Sequence, residues 1–546
     1  MERIIIRDHE PIAPFAEPAR ELRILNKPLW LLQRDLLKQH CKGSLEINSI
    51  QDLFTEQNSS TDELLVYRDN LYFNANLIDA FISAARASGR ACQIAFRASN
   101  PATGVRGDPT IERHALQLTR GFVARTAQPC LDEGREAYAD VYLAELYYFP
   151  HGPVQDPTPL IIETQSHEMG YYHIPSYMAH KGDLTYQIPL RAFLSLESWV
   201  HVFIANILMG VFTYAAAQDV KMSRARLKDM LHWKREDWRI FVDKAGFSAA
   251  AIWQRLNPFE EMWRNHFLAS HALVKVGKNC SIDPSATIHG PTVIGDNVYI
   301  GPGVVIANSI IGNNVNVMQG SQVMLSVVSD RCFLPFNAGL FMTTLMENSM
   351  VAQNSTLQLT VVGRNTFIGA NNCFTDFNLQ NEPIKVMHRG EAVEVHLPVL
   401  GSAVGHNVKI GSGFVVYPGR MIESNTVIIF DHDQGLISKT VRGHDVDDVN
   451  VGTGEPRRII YHWPNVYHDP AQPDHPEPPK ASLDQIQPAY PNGSYHSNGD
   501  HLDASALHEH QSLPAPARSI SQPTGSVSQQ HQRVGVSPTS ARRSIR

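Results

Sequence analysis

The chain has 546 residues, enough for two or three domains, each with a core of its own. Hydrophobic residues make up 43 %, an ordinary globular share, and a net charge of −7 leaves no electrostatic footprint for nucleic acid. Six cysteines, far apart and without a C-x-x-C pair, argue against a zinc ribbon or a disulfide framework and suit a reducing cytoplasm. The opening MERIIIRDHEPIAP has no long apolar core behind its charges, so no secretory signal is expected and the cytoplasm is the default location.

Residues 1 to about 210 mix strand-like and helical runs, as an α/β domain does. ELLVYRD reads as a strand, residues 75–88 as a helix and GRACQIAF as the next strand, which predicts a βαβ unit with a parallel pair. Residues 199–217 have about the length of a membrane span. His201 and Asn206 interrupt them and charges follow closely, so a buried helix is expected and no span. Residues 211–270 hold no strand-like run; their amphipathic pattern, with Trp and Phe at helical spacing, predicts a helical connector.

A different period governs residues 271–441. Val276, Ile282, Ile288, Ile294, Ile300 and Ile306 recur every six residues, and after a one-residue phase change the pattern resumes at Ile311, Val317 and Val323. It blurs between Ser326 and Thr360, returns at Val362, Ile368 and Phe374, and ends with Val404, Ile410, Val416, Ile422 and Ile428. Neither a helix nor an isolated strand has a period of six. A three-sided coil does, with one aliphatic residue per side turned to the axis, so a left-handed parallel β-helix is predicted. Gly295, Gly301, Gly312, Gly369, Gly405 and Gly411, often followed by Asn or Asp, suit its tight corners. Residues 376–398 break the period and are expected to leave the coil as a loop, the kind of excursion that carries function. Residues 442–546, rich in Pro, Ser, Gln, Asn and His, are expected to be mostly disordered.

The coil region resembles that of sugar N-acetyltransferases. NNCFTDFNLQNEPIKVMHRGEAVEVHLPVLGSAVGHNVKIGSGFVVYPGRMIESNTVI is similar to the C-terminal coils of bifunctional sugar-1-phosphate nucleotidyltransferase/N-acetyltransferases. ELRILNKPLWLLQRDLLKQH, with Asn26, Lys27 and Pro28, then resembles the family's nucleotidyltransferase segment; so does YQIPLRAFLSLESWVHVFIANILMG, with its Ala205-Asn206 pair. The resemblance implies a Rossmann-like nucleotidyltransferase-like domain over residues 1–210. It also implies Asp69 as the carboxylate for Mg2+, and Arg20 and Lys27 as phosphate contacts. In the coils it implies acetyl-CoA as donor, Asn378 as a donor or sugar contact and a homotrimer, with a nucleotide sugar or sugar phosphate as partner.

The departures from that family are as informative. No glycine precedes Gly43, the signature lysine falls at Ala19 beside Arg20, and only Glu197 lies near the place of the second metal carboxylate. A phosphate-cradling Gly-rich loop is therefore missing. The segment that should carry the acyltransfer histidine reads LPFNAGLFMTT, with Phe336 and Asn337 in its place; His289, His388, His396 and His406 are the substitutes. Of these, His388 and His396 on the excursion loop are the candidate general bases. Two functions follow: a transferase of sugar-nucleotide metabolism, or a non-catalytic trimeric scaffold or ligand-sensing pseudoenzyme. A γ-carbonic-anhydrase-like zinc site is disfavoured because no H-x-x-x-x-H occurs in the coils.

Overall fold

The computed structural model describes residues 1–54, 63–173, 183–215, 273–378, 382–429, 436–441 and 459–462, all within the unit Met1–Tyr467. Seven strands of the N-terminal half form one sheet: β1 (Glu2–Ile6), β2 (Ser44–Ile47), β3 (Leu64–Arg68), β4 (Cys92–Arg97), β5 (Phe122–Asp132), β6 (Arg135–Phe149) and β7 (Thr158–Ile161). Their order is β5-β7-β4-β6-β3-β1-β2, with β6 antiparallel to its neighbours and the other six parallel to one another. The helix α1 (Leu29–Leu37) links β1 to β2, and α2 (Ala75–Ser88) links β3 to β4. Asn74 caps α2 by accepting the Leu77 N–H at 3.0 Å, and Gly89 ends it in the left-handed conformation. Leu77, Ile78, Phe81, Ile82 and Ala85 form its buried stripe.

The strands and helix expected at 64–97 are present, but β3 and β4 are not a hydrogen-bonded pair. The 15-residue strand β6 lies between them. Alternation within a strand fixes which side chains face the core and says nothing about the neighbouring strand, so the intruder could not be read from this segment. Helix α3 (Trp199–Asn206) is buried at every residue and continues helical to residue 215. Among the described residues no helix is long and apolar enough to cross a membrane. Residues 216–272, most of the expected connector, lie outside the described residues.

From Val274 onward, short parallel strands stack into three sheets of eight, as a left-handed β-helix requires, and one antiparallel strand adds to the second sheet. Register explains the blurred period. Ile311 pairs with Val328, Val328 with Leu345 and Leu345 with Val362, each 17 residues on. The first coil takes 18 residues (Val276 to Ile294), so the interior coils use sides of six, six and five. The axial residues run unbroken through the blurred stretch: Val328, Leu334, Leu340, Leu345, Val351, Leu357, Val362, Ile368 and Phe374 are all buried in one core.

One corner is an asparagine ladder in the left-handed region, at Asn279, Asn297, Asn314, Asn348, Asn365, Asn407 and Asn425, interrupted by Arg331. Its side chains hydrogen-bond from coil to coil, as in Asn348 to Asn365 at 3.1 Å and Asn407 to Asn425 at 2.9 Å. Another corner places Leu325, Met342 and Leu359 at positive φ, which side chains of this kind rarely adopt. Their burial against the N-terminal domain offsets that strain: all three, with Val327, Met346, Val361, Ala403 and Met421, share one apolar core with Phe15, Leu22, Leu29 and Phe203.

Residues between Phe374 and Ala403 do leave the coil; across them Val362 pairs with Val404, 42 residues on. The excursion folds into a hairpin of Lys385–His388 and Glu391–Glu394. The chain re-enters at Gly401, where a Cβ would meet the Gln358 carbonyl oxygen at 1.9 Å. The segment expected to be a disordered tail contributes one strand, Ile459–His462, which pairs antiparallel with Thr426–Ile429; the rest of it lies outside the described residues.

Candidate functional site

In an open α/β sheet, ligands bind beyond the carboxyl ends of strands where the connection reverses direction. Here β2 lies on one side of β1 and β3 on the other, so the reversal falls between β1 and β3. The residues that emerge there are Arg7 and Asp8 after β1, and Asp69 after β3. Asp69 is 1 % exposed: its Oδ1 accepts the Asp8 N–H at 2.8 Å, its Oδ2 accepts Arg20 Nη1 at 3.2 Å, and Arg7 Nε stands 3.2 Å from the same oxygen. Arg7 and Arg20 also pair with Glu46 of β2, at 2.5 Å and 3.6 Å. Burial pushes the Asp69 carboxyl above its ordinary range, against the pull of the Asp8 N–H and the two guanidiniums.

Arg20 and Asp69, expected to hold phosphate and Mg2+, are instead ion-pair partners of each other. A dication brought to Asp69 would displace two guanidiniums or stand against them, so the arrangement does not fit Mg2+. Among the described residues no three His, Cys, Asp or Glu side chains are grouped to hold a metal.

Glu197 is equally occupied. It accepts Thr119 Oγ1, the Arg120 and Gly121 N–H groups (3.0 and 2.8 Å) and Ser195 Oγ at 3.0 Å. Burial works against its charge, and these donors outweigh burial and hold it below the ordinary carboxylate range. The fifth donor is Arg389, at the turn of the excursion hairpin, 3.0 Å from Glu197 Oε2 and 2.6 and 2.7 Å from Glu10. The excursion folds back on the N-terminal domain of its own chain. Ile384, Val386, Val395 and Leu397 bury the base of the hairpin in the shared core, and Arg389 pins its tip. His388, beside that tip, is half-buried, and burial and the neighbouring Arg389 lower its pKa, which favours the neutral ring at pH 7. Its Nε2 is buried without a hydrogen-bond partner, a state that costs about 1–3 kcal/mol. Hairpin and domain border an open cleft of about 270 Å3 whose lining includes Thr119, Arg120, His388, Arg389 and Glu391.

The other expected site residues lie apart from this edge. Lys27 Nζ pairs with Asp35 at 2.7 Å on the exposed side of α1. Asn378 is bonded to the Glu382 carbonyl at 3.1 Å within the excursion, and His396 is exposed with its Nδ1 3.1 Å from Glu394. His406 is buried: its Nδ1 accepts the Arg364 N–H at 2.8 Å, so its Nε2 donates to Glu17 at 3.0 Å, and neither nitrogen is left for a substrate. His289 ends a coil strand far from the hairpin in sequence. The Asn26-Lys27-Pro28 turn and the Ala205-Asn206 pair do meet, but structurally. Asn206 Oδ1 accepts the Leu25 N–H at 2.8 Å and its Nδ2 donates to the Arg23 carbonyl at 3.0 Å, while Asn26 bonds Ser329 Oγ at 2.9 Å on the coil.

Arg7, Asp8, Glu10, Arg120 and Arg389 were not singled out by sequence reasoning. Asp8 had a signal, since it lies two residues past a strand end; Arg389 had only its place beside Gly390 at a hairpin turn.

Residues 274–308 match the family model for the bacterial transferase hexapeptide (six repeats). No match is found among curated proteins. Among solved structures, the chain is similar to a Bacillus cereus protein assigned as an acetyltransferase, at 17 % identity over 32 % of this chain and 86 % of that one, with a TM-score of 0.16. It is also similar to the polysialic acid O-acetyltransferase OatWY, at 20 % identity over 31 % of this chain and 80 % of that one, with a TM-score of 0.14. Neither likeness bears on chemistry. What the matched repeat and the stacked parallel sheets establish together is a coil built of hexapeptide repeats.

Proposed function

We propose that the protein descends from hexapeptide-repeat sugar transferases and binds a sugar phosphate or nucleotide sugar without nucleotidyl transfer in its N-terminal domain. One observation carries this reading: the Asp69 carboxylate is spent on Arg20, Arg7 and the Asp8 N–H. Phosphoryl transfer relies almost wholly on positioning and on cations aimed at the phosphates, so an acid neutralised from within has lost the part that holds the metal. Acyl transfer to a sugar is the second reading, and His388 favours it, because a neutral imidazole beside a cleft has the form a general base needs. The acetyl-CoA site of this second reading would lie on the coils, between copies of a homotrimer.

Thermal melting with UDP- and dTDP-sugars, a hexose 1-phosphate and acetyl-CoA, each with and without Mg2+, tests the proposal, since a ligand of the folded state raises Tm. A sugar ligand should raise Tm equally with and without the metal, and nucleoside triphosphate plus hexose 1-phosphate should release no pyrophosphate. Pyrophosphate release that disappears in Asp69→Asn would overturn the reading.

A further inference from the structure

The coil repeats, and so does the apolar surface it offers the N-terminal domain: Leu325, Met342 and Leu359 present nearly the same profile on successive coils. Such a surface holds the domain without choosing a rung, because a slip of one coil moves it only about 4.8 Å. We infer that a seam of four charged side chains, Glu17 and Arg23 against Glu347 and Arg364, sets the register of the N-terminal domain on the coil.

The coil side of the seam lies on the residues that precede the asparagine ladder. Toward the start of the coil these are short and bond along it: Asn313 Oδ1 accepts the Asp296 N–H at 2.8 Å, and Asp330 Oδ1 accepts the Asn313 N–H at 2.7 Å. Toward its end, Ser424 Oγ accepts the His406 N–H at 2.8 Å. Between them, Glu347 and Arg364 reach across to the N-terminal domain. Glu347 Oε1 accepts Arg23 Nε and Nη2 at 2.9 and 2.7 Å, and Arg364 pairs with Glu17, whose other oxygen meets His406 at 3.0 Å. Glu17 and Glu347 are 3 % and 7 % exposed, so little water is at hand to screen a mismatch.

Only the observed rung balances, with two acids facing two guanidiniums. One coil toward the start, Arg23 would meet Asp330 and Glu17 would stand between Glu347 and Arg364, which sets three carboxylates against two guanidiniums. One coil toward the end, Arg23 would meet Arg364 while Glu17 moved on to His406 and Ser424, which sets two guanidiniums against one carboxylate. Buried ion pairs contribute little net stability relative to apolar packing, so the seam selects a rung more than it adheres.

The test reads register in the full chain by double electron–electron resonance. Spin labels are carried on a non-canonical amino acid at Arg34 of α1 and at either Gln319 or Gln353, exposed positions two coils apart on one corner. Labelled chains are diluted with unlabelled ones, and Arg389→Ala is present throughout so that the hairpin tip does not hold the domain. With the seam intact, each label pair should give one narrow distance. Glu347→Arg should move the domain one coil toward Asp330, where Arg23 finds an acid and Glu17 lies between two guanidiniums; the distance to Gln319 then falls relative to that to Gln353. Glu17→Met, Arg23→Met, Glu347→Met and Arg364→Met together should leave Tm within about 5 °C and split each distance into two or more. A single, unmoved distance in either variant reduces the seam to adhesion and overturns the inference, as does loss of folding in either.

Discussion

Asn206 shows how a single buried amide can hold a turn. It is fully buried, and its side chain serves the backbone at Leu25, Arg23 and Val202. Removing it in Asn206→Ala strands buried donors and acceptors, which should cost about 2–4 kcal/mol, read as a fall in the denaturant midpoint. His114 gives a second residue-scale expectation. Burial presses its pKa down to about 4, while its Nε2 accepts the Gln187 N–H at 3.2 Å. The unfolded chain therefore binds the proton first. The stabilisation from keeping the ring neutral is complete above pH 6.5 and is lost as pH falls toward 4, to the extent of about 3 kcal/mol. Glu17 adds acid sensitivity lower down: burial opposes its charge, but His406 and Arg364 hold it below its usual range, so its contribution is lost beneath pH 4.5. In His114→Gln, the slope of stability between pH 6.5 and 4 should flatten; an unchanged slope would assign the acid loss to other groups. At this scale the sequence disclosed which residues matter more readily than what they do. Asp69 and Asn206 were both noticeable, but whether an acid faces a metal or two arginines depends on partners 49 to 62 positions away, which no local pattern encodes.

The coil is the element that sequence revealed most fully, because one aliphatic residue per side is a strictly local demand repeated many times. It blurred only where one side shortens to five residues and where Leu325, Met342 and Leu359 add apolar side chains that face the neighbouring domain rather than the axis. Arg331 is the odd rung of the asparagine ladder, at φ 58° with its Nε 2.6 Å from Asn348 Oδ1. Asparagine tolerates that backbone better than arginine does, and its amide could continue the rung. Arg331→Asn should therefore stabilise the protein by about 1 kcal/mol, seen as a rise in Tm. A fall in Tm would show that the arginine contact outweighs the backbone term. The hairpin was legible as an interruption of the period, whereas its docking partners were not, since Glu10 and Glu197 lie 379 and 192 residues upstream of Arg389.

At the scale of the whole molecule, one face of the coil packs against the N-terminal domain, and another carries an outward apolar stripe. Tyr299, Phe333 and Phe367 stand in register on one of them, each 37–40 % exposed. An apolar stripe on a flat parallel sheet suits contact between copies. If the expected homotrimer forms through it, light scattering should give three chains per particle at micromolar concentration. Phe333→Asp with Phe367→Asp should reduce that to one, and a wild-type monomer would remove the trimer expectation.

The shared core also sets an order of events in the cell. Residues 1–215 bury part of their apolar surface only against Leu325 to Met421, which leave the ribosome later. At roughly 5–20 residues per second, the first half must wait on the order of 10–40 s with a sticky flank uncovered. A fragment of residues 1–215 made alone should remain in that waiting state, cut by protease where the full chain resists.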